Sequence, residues 1–166
     1  MIRALRYVGQ AAVLAAFVAA VGFFSGNPSF RHFPEGEALL KVSFSHGGDR
    51  KVECRKRTPE ELAELAANMR SALDCPRERV ELRFEIDLDG EPLYQALLPP
   101  TGLAGDGPSR VYERFALPAG RHVLDLRLRD SRRSEGFDHV ARRAVEFAAG
   151  QSVAVDFRGG EGFIIR

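Results

Sequence analysis

Apolar and polar positions follow two different rhythms along this chain. From Ala11 to Phe24 (AAVLAAFVAAVGFF) there is no polar side chain at all. Carried back to Leu5, the run takes in one amide, Gln10, and one charge, Arg6. That length matches the ~20 apolar residues a membrane-spanning helix needs. Past the run the rhythm becomes period two. Leu40, Val42 and Phe44 alternate with Lys41, Ser43 and Ser45; Leu82, Phe84, Ile86 and Leu88 alternate with Glu81, Arg83, Glu85, Asp87 and Asp89. Leu124, Leu126 and Leu128 alternate with Asp125, Arg127 and Arg129, and Val153, Val155 and Phe157 with Ala154, Asp156 and Arg158. One buried and one wet face is the pattern of antiparallel sheets.

The breaks between these runs carry turn chemistry. Gly47-Gly48-Asp49 is expected to separate a first pair of strands, and Asp89-Gly90 to close a hairpin between Val80–Leu88 and Glu91–Leu98. Pro118-Ala119-Gly120 divides Arg110–Leu117 from Arg121–Asp130, and Ala149-Gly150 divides Asp138–Phe147 from Gln151–Arg158. About eight strands with a turn every 8–12 residues predict a β-sandwich. One helix of about 12 residues is expected between strands two and three. Thr58-Pro59-Glu60-Glu61 supplies an N-cap, a proline at N1 and an acid at N3; Leu62, Leu65, Ala66 and Met69 fall on one face, and Pro76 ends the segment.

The apolar run reads as an anchor or an export signal. Arg3 and Arg6 stand at or before its start, and no basic residue follows until Arg31. Positive charge on that side keeps the N-terminus in the cytoplasm and sends the body across. A cleaved signal has the same layout with a shorter apolar region and a small-x-small site. Val21, Phe23 and Phe24 stand where that site belongs, which favours an uncleaved anchor. Domain limits follow: 1–24 as anchor or signal peptide, 25–36 as a Gly-, Asn- and Pro-containing linker, 37–166 as an exported domain. The location expected is the inner membrane, single-pass, with the C-terminal domain on the periplasmic side.

Composition narrows the classes. The chain has 166 residues, 24 Lys+Arg against 23 Asp+Glu, and a formal charge of +1, so it holds one domain and has no overall pull toward nucleic acid. There are two cysteines and no C-x-x-C, too few thiolates for a structural zinc site. No P-loop, G-x-G-x-x-G or G-x-S-x-G occurs, and no catalytic residue or cofactor is assigned.

The segment Phe115–Asp130, with its LPAGRHVLDLRL core, resembles the strand-Pro-x-Gly-strand signature of small envelope β-sandwiches. The PEGA and carboxypeptidase-regulatory-like (prealbumin-like) modules are examples, and Asp87-Leu88-Asp89-Gly90 fits the same pattern. The resemblance implies an immunoglobulin-like or prealbumin-like antiparallel sandwich, here with one inserted helix, and a binding, spacer or assembly role instead of catalysis.

Cys54 and Cys75 bracket the helix. In an oxidising compartment such a pair forms a disulfide; free thiols and a redox or metal pair are the other readings. His32, His46, His122 and His139 form no metal-ligand spacing, and Asp87, Asp89 and Glu91 are a solvated hairpin tip or an oxygen cluster for calcium. Arg127–Arg133 with Arg142 and Arg143 makes a basic strip, read as a solvated face or a partner-facing patch. Phe163, Ile164 and Ile165 close the chain as a last edge strand or a docking tail. Arg127, Arg129 and Arg142 with Phe163, Ile164 and Ile165 are the partner-docking candidates. The expected role is a non-catalytic, membrane-anchored accessory protein that docks on or helps assemble a larger membrane complex. Alternatives are a cell-wall glycan or peptide-binding module, against which the absence of Trp counts, and metal or redox delivery to a respiratory oxidase. The expected partners are the membrane, through the N-terminal helix, and an integral-membrane or envelope protein; oligomeric state is left open.

Overall fold

The structure, a computed structural model, describes residues 2–27 and 34–166. Residues 28–33, half of the expected linker and including Arg31 and His32, lie outside the described residues. The chain divides into two units, Met1–Pro34 and Glu35–Arg166.

The first unit contains α1, Ile2–Gly26, of 25 residues. At 1.5 Å per residue it is roughly 37 Å long, enough for a hydrocarbon layer about 30 Å thick. The part from Arg3 to Gly26 is apolar enough to span, and none of it is buried.

The second unit is mainly β. In chain order it comprises β1 (Glu37–His46), β2 (Arg55–Lys56), α2 (Pro59–Glu64), a 3-10 turn (Ala67–Met69) and β3 (Leu73–Asp74). Then follow β4 (Leu82–Leu88), β5 (Glu91–Leu98), β6 (Ser109–Pro118), β7 (Gly120–Arg129), β8 (His139–Phe147), β9 (Ser152–Arg158) and β10 (Gly162–Ile165). A first sheet has the order β10-β9-β1-β6 and a second β5-β4-β7-β8; β2 and β3 form a separate ribbon. The alternating apolar residues become the shared core. Leu40, Val42 and Phe44 face Phe84, Ile86, Leu124, Leu126 and Leu128, with Val153, Val155 and Phe157 beside them, all at most 5% exposed. Each such side chain contributes roughly 1.5–3 kcal/mol on burial. Phe44 and Phe84 meet across the sheets edge to face, ring centroids 5.0 Å apart.

Three features differ from the sequence reading. Gly47-Gly48-Asp49 closes no hairpin: β1 pairs with β6 and β9, strands distant in sequence. The glycines serve close packing instead. A Cβ on Gly48 would lie 2.8 Å from the Val80 carbonyl oxygen, and one on Gly47 would lie 3.1 Å from the Arg79 guanidinium. Second, β1 and β9 run parallel, because β9 enters from the same end as β1 and its ladder starts with Leu39 N–H donating to the Gln151 carbonyl (2.8 Å). Third, α2 has six residues, not about 12; Leu65 is extended (φ −81°, ψ 143°), and neither α2 nor the 3-10 turn buries a side chain. Without a core to pack on, the Leu62-Leu65-Met69 stripe has nothing to extend the helix. A last strand, β10, occupies the edge beyond β9.

Antiparallel register sorts the connections by length. At the end where β1 begins, the links are Asp89-Gly90, Ala119 and residues 148–151. Both Asp89 (φ 54°) and Gly90 (φ 92°) are left-handed, as a two-residue primed hairpin turn requires. At the other end lie the long segments 47–81, 99–108 and 130–138.

Candidate functional site

Irregular segments on a rigid scaffold are where binding residues concentrate, and here they gather at one end of the second unit. The segment 47–81 is held by local pins. Cys54 and Cys75 are disulfide-bonded across the base, 21 residues apart in sequence. Both sulfurs are therefore bonded to each other, and neither is a free ligand. The two-rung β2–β3 ribbon sits next to the bond. Thr58 caps α2: its hydroxyl accepts from Glu61 N–H, while the Glu61 carboxylate accepts from Thr58 N–H (2.9 Å) and from Arg55 (2.9 Å). Those bonds, the backbone one foremost, hold the Glu61 carboxyl below its ordinary value. Asp74 takes Arg55 and Arg57, both at 2.9 Å. Arg79 donates to the carbonyls of Gly48 (2.7 Å) and Asp106 (3.0 Å), tying this segment to the 99–108 loop. Val52, Met69, Leu73 and, at the loop tip, Leu103 are left exposed.

Beside these loops, His46 at the end of β1 and His139 at the start of β8 both direct Nε2 to one oxygen of Asp130, at 2.7 and 3.1 Å. Each imidazole also packs edge-on against Phe157, with ring centroids 4.9 Å apart. The carboxylate thus ties strands of the two sheets together. Asp138 organises the adjoining loop by accepting from the N–H groups of Asp130 and Ser131 and from the Ser131 hydroxyl. Burial pushes its carboxyl up, but these bonds and Arg133 outweigh that and hold it below the ordinary range. At the opposite end His122 lies between two acceptors, Asp89 (2.6 Å from Nδ1) and the Pro118 carbonyl (3.0 Å from Nε2). Only the imidazolium donates to both. The Asp89 bond raises the His122 pKa against the opposing effect of burial. No group of three or more His, Cys, Asp or Glu side chains among the described residues is arranged to hold a metal ion.

Comparison adds no relative. No family model, curated protein or solved structure matches the chain.

The docking candidates fall in two places. Arg127, Arg129 and Arg142 lie on the outer face of the second sheet, each engaged within the chain. Arg127 clasps Glu85 (2.9 Å) and Asp87 (2.7 Å) and stacks on Phe137; Arg129 donates to the Ser134 carbonyl; Arg142 lies 3.6 Å from Asp125. Glu85 is only 6% exposed. Burial raises its carboxyl, and Arg83 and Arg127 together more than reverse this. Phe163, Ile164 and Ile165 form β10; all are half-buried, and Phe163 stacks on Phe84 and meets Phe157 at 5.0 Å. Asp87, Asp89 and Glu91 do not converge, since Asp87 goes to Arg127 and Asp89 to His122 and the Val123 N–H.

The outer face of the first sheet carries residues the sequence reading passed over. Lys41 on β1 stands directly opposite Arg114 on β6, Ser43 opposite Tyr112, and Ser45 opposite Arg110. None of Lys41, Arg110 and Arg114 has an ion-pair partner among the described residues. Alternation alone puts these side chains on the wet face. Their being opposite one another depends on a register between strands some 70 residues apart.

Proposed function

We propose that this is a non-catalytic accessory protein of a bacterial-type envelope, anchored in the inner membrane by α1 with its β-body on the periplasmic side, where it docks on or helps assemble a larger membrane complex. The observation that carries this reading is α1 itself. Every described side chain from Arg3 to Gly26 is exposed, so its apolar surface needs a medium or a partner that the chain does not supply. Arg3 and Arg6 at its start favour a cytoplasmic N-terminus. Tethering then raises the effective concentration of the body for a membrane partner without new contacts.

The body belongs, in this proposal, to the immunoglobulin-like or prealbumin-like sandwiches. Two facing four-stranded sheets and the Pro118-Ala119-Gly120 hairpin support that placement.

The test is purification of the tagged full-length protein from its native membrane in mild detergent, with quantitative mass spectrometry of what accompanies it. A stoichiometric integral-membrane protein is the expected result. A protein recovered alone at several detergent strengths overturns the docking role.

A further inference from the structure

We infer that the outer face of the first sheet, along its β1–β6 edge, is a docking site for an extended acidic segment of a partner protein. This rests on the docking role proposed above and gives it a surface and a chemistry. Lys41 and Arg114 are directly opposed across the β1–β6 ladder. Like charges in that position work against the fold. Arg110 lies four residues from Arg114 on the same face, with exposed Tyr112 between them. On the second sheet Arg83 is neutralised by Glu85, Arg127 by Glu85 and Asp87, and Arg142 by Asp125, while Arg129 donates to the Ser134 carbonyl. The acids at outward positions of the first sheet are Glu37, at the first position of β1, and Asp156, which is taken by Arg158 and Arg166. The first sheet thus groups three cations on the β1–β6 pair, none of them ion-paired among the described residues.

The geometry selects the occupant. β6 spans Ser109–Pro118 and ends the first sheet, its far side having no strand partner among the described residues. Such an edge offers a row of main-chain donors and acceptors to an added strand. Arg110 and Arg114 are roughly 13 Å apart at strand rise. That is the spacing of same-face positions j and j+4 on any extended segment. Acids at those two positions meet Arg110 and Arg114, the second sharing its carboxylate with Lys41. An apolar residue between them covers Tyr112.

Fluorescence anisotropy of the full-length protein in neutral detergent micelles tests this. The probe is a labelled peptide, Gly-Thr-Asp-Thr-Val-Thr-Asp-Thr-Gly. Binding is expected, weakened about tenfold or more by R110E/R114E, and similarly by raising salt from about 50 to about 500 mM. R142E, on the other sheet, and a peptide with Lys in place of Asp are the controls; the first leaves binding unchanged and the second does not bind. R110Q/R114Q, which only removes charge, gives an intermediate loss, with circular dichroism confirming a folded body. The inference is overturned by absence of peptide binding, or by binding that R110E/R114E leaves unchanged. It is also overturned if R110E/R114E abolishes adsorption to anionic vesicles while the peptide does not bind, since that assigns the cations to a lipid surface. If R110E/R114E self-associates with peptide affinity intact, the arginines guard the edge and the inference again fails. The two proposals separate in the native membrane. A co-purified partner retained by R110E/R114E removes this surface and leaves the docking role standing; a wild-type protein without a partner removes the docking role.

Discussion

His122 shows how one side chain joins three turns and strands. It links the Asp89-Gly90 turn, the Pro118 carbonyl and β7, and packs on Phe147 with ring centroids 5.8 Å apart. Its pKa is raised in the fold by the Asp89 bond, and that of Asp89 is lowered, chiefly by His122 and then by the Val123 N–H. The stabilisation from His122 is therefore complete below the ordinary histidine pKa of about 6.5 and is lost as pH rises through the raised value. The part from Asp89 is present above the ordinary aspartate pKa of about 3.9 and is lost as pH falls through the lowered one. The pin is strongest in mildly acidic solution. Asp89→Asn keeps a residue suited to the left-handed backbone there (φ 54°) while removing the charge. It is expected to lower the Tm by about 2–4 °C at pH 5 and by less at pH 8.5, measured by thermal circular dichroism. Equal losses at both values contradict the imidazolium assignment.

At the scale of elements, the core strands and the 47–81 segment are stabilised by different means. The strands bury apolar area, whereas α2 and its following turn bury nothing and rely on a capping box, ion pairs with Asp74 and the disulfide. Elements without buried contacts open locally, at low cost and independently of the rest. The double variant Cys54→Ser/Cys75→Ser is thus expected to lose hydrogen-exchange protection at Arg57 and Leu62, whose N–H groups are bonded to Ala72 and Thr58. Amides of β4 and β7 keep theirs, and global stability changes by less than about 1 kcal/mol. Loss of protection across the sheets would show that the disulfide supports the core. The capping box was legible in Thr58-Pro59-Glu60-Glu61, and the structure forms it. The helix length was not legible, because it depends on whether Leu62, Leu65 and Met69 find a surface to cover, and Met69 stays 63% exposed.

At the scale of the molecule, the proposed location of the body rests on α1, which is long and apolar enough to span a membrane. Full-length protein is expected to stay in the membrane fraction through alkaline carbonate extraction. The mass of the purified chain is expected to include residues 1–24. A soluble product lacking them would make the segment a cleaved signal, and effective-concentration arguments for a membrane partner would no longer hold. The β-body presents two unlike outer faces, one in which Arg127 and Arg142 meet acids and one with Lys41, Arg110 and Arg114 open. The outward position of these residues follows from period two. Their company does not, because it is set by pairing β1 with β6, across the whole of the 47–108 region. The same holds for Arg127: basic strip in the sequence, it is tied in space to acids 40 and 42 residues away.

The sequence by itself determined what local physics controls. An unbroken apolar run specifies a helix of spanning length, period-two alternation specifies which residues enter the core, and Asp89-Gly90 specifies a primed turn. Each of these depends on neighbours a few residues apart. Tertiary structure alone decided the rest: the parallel β1–β9 pair, the crossing at Gly47-Gly48, the sharing of Asp130 by His46 and His139, and which arginines find a carboxylate. Those depend on register between distant strands, which side-chain type does not encode. A basic residue on a wet face has one appearance in sequence and two fates in the fold, neutralised or open, according to which strand comes to lie beside it.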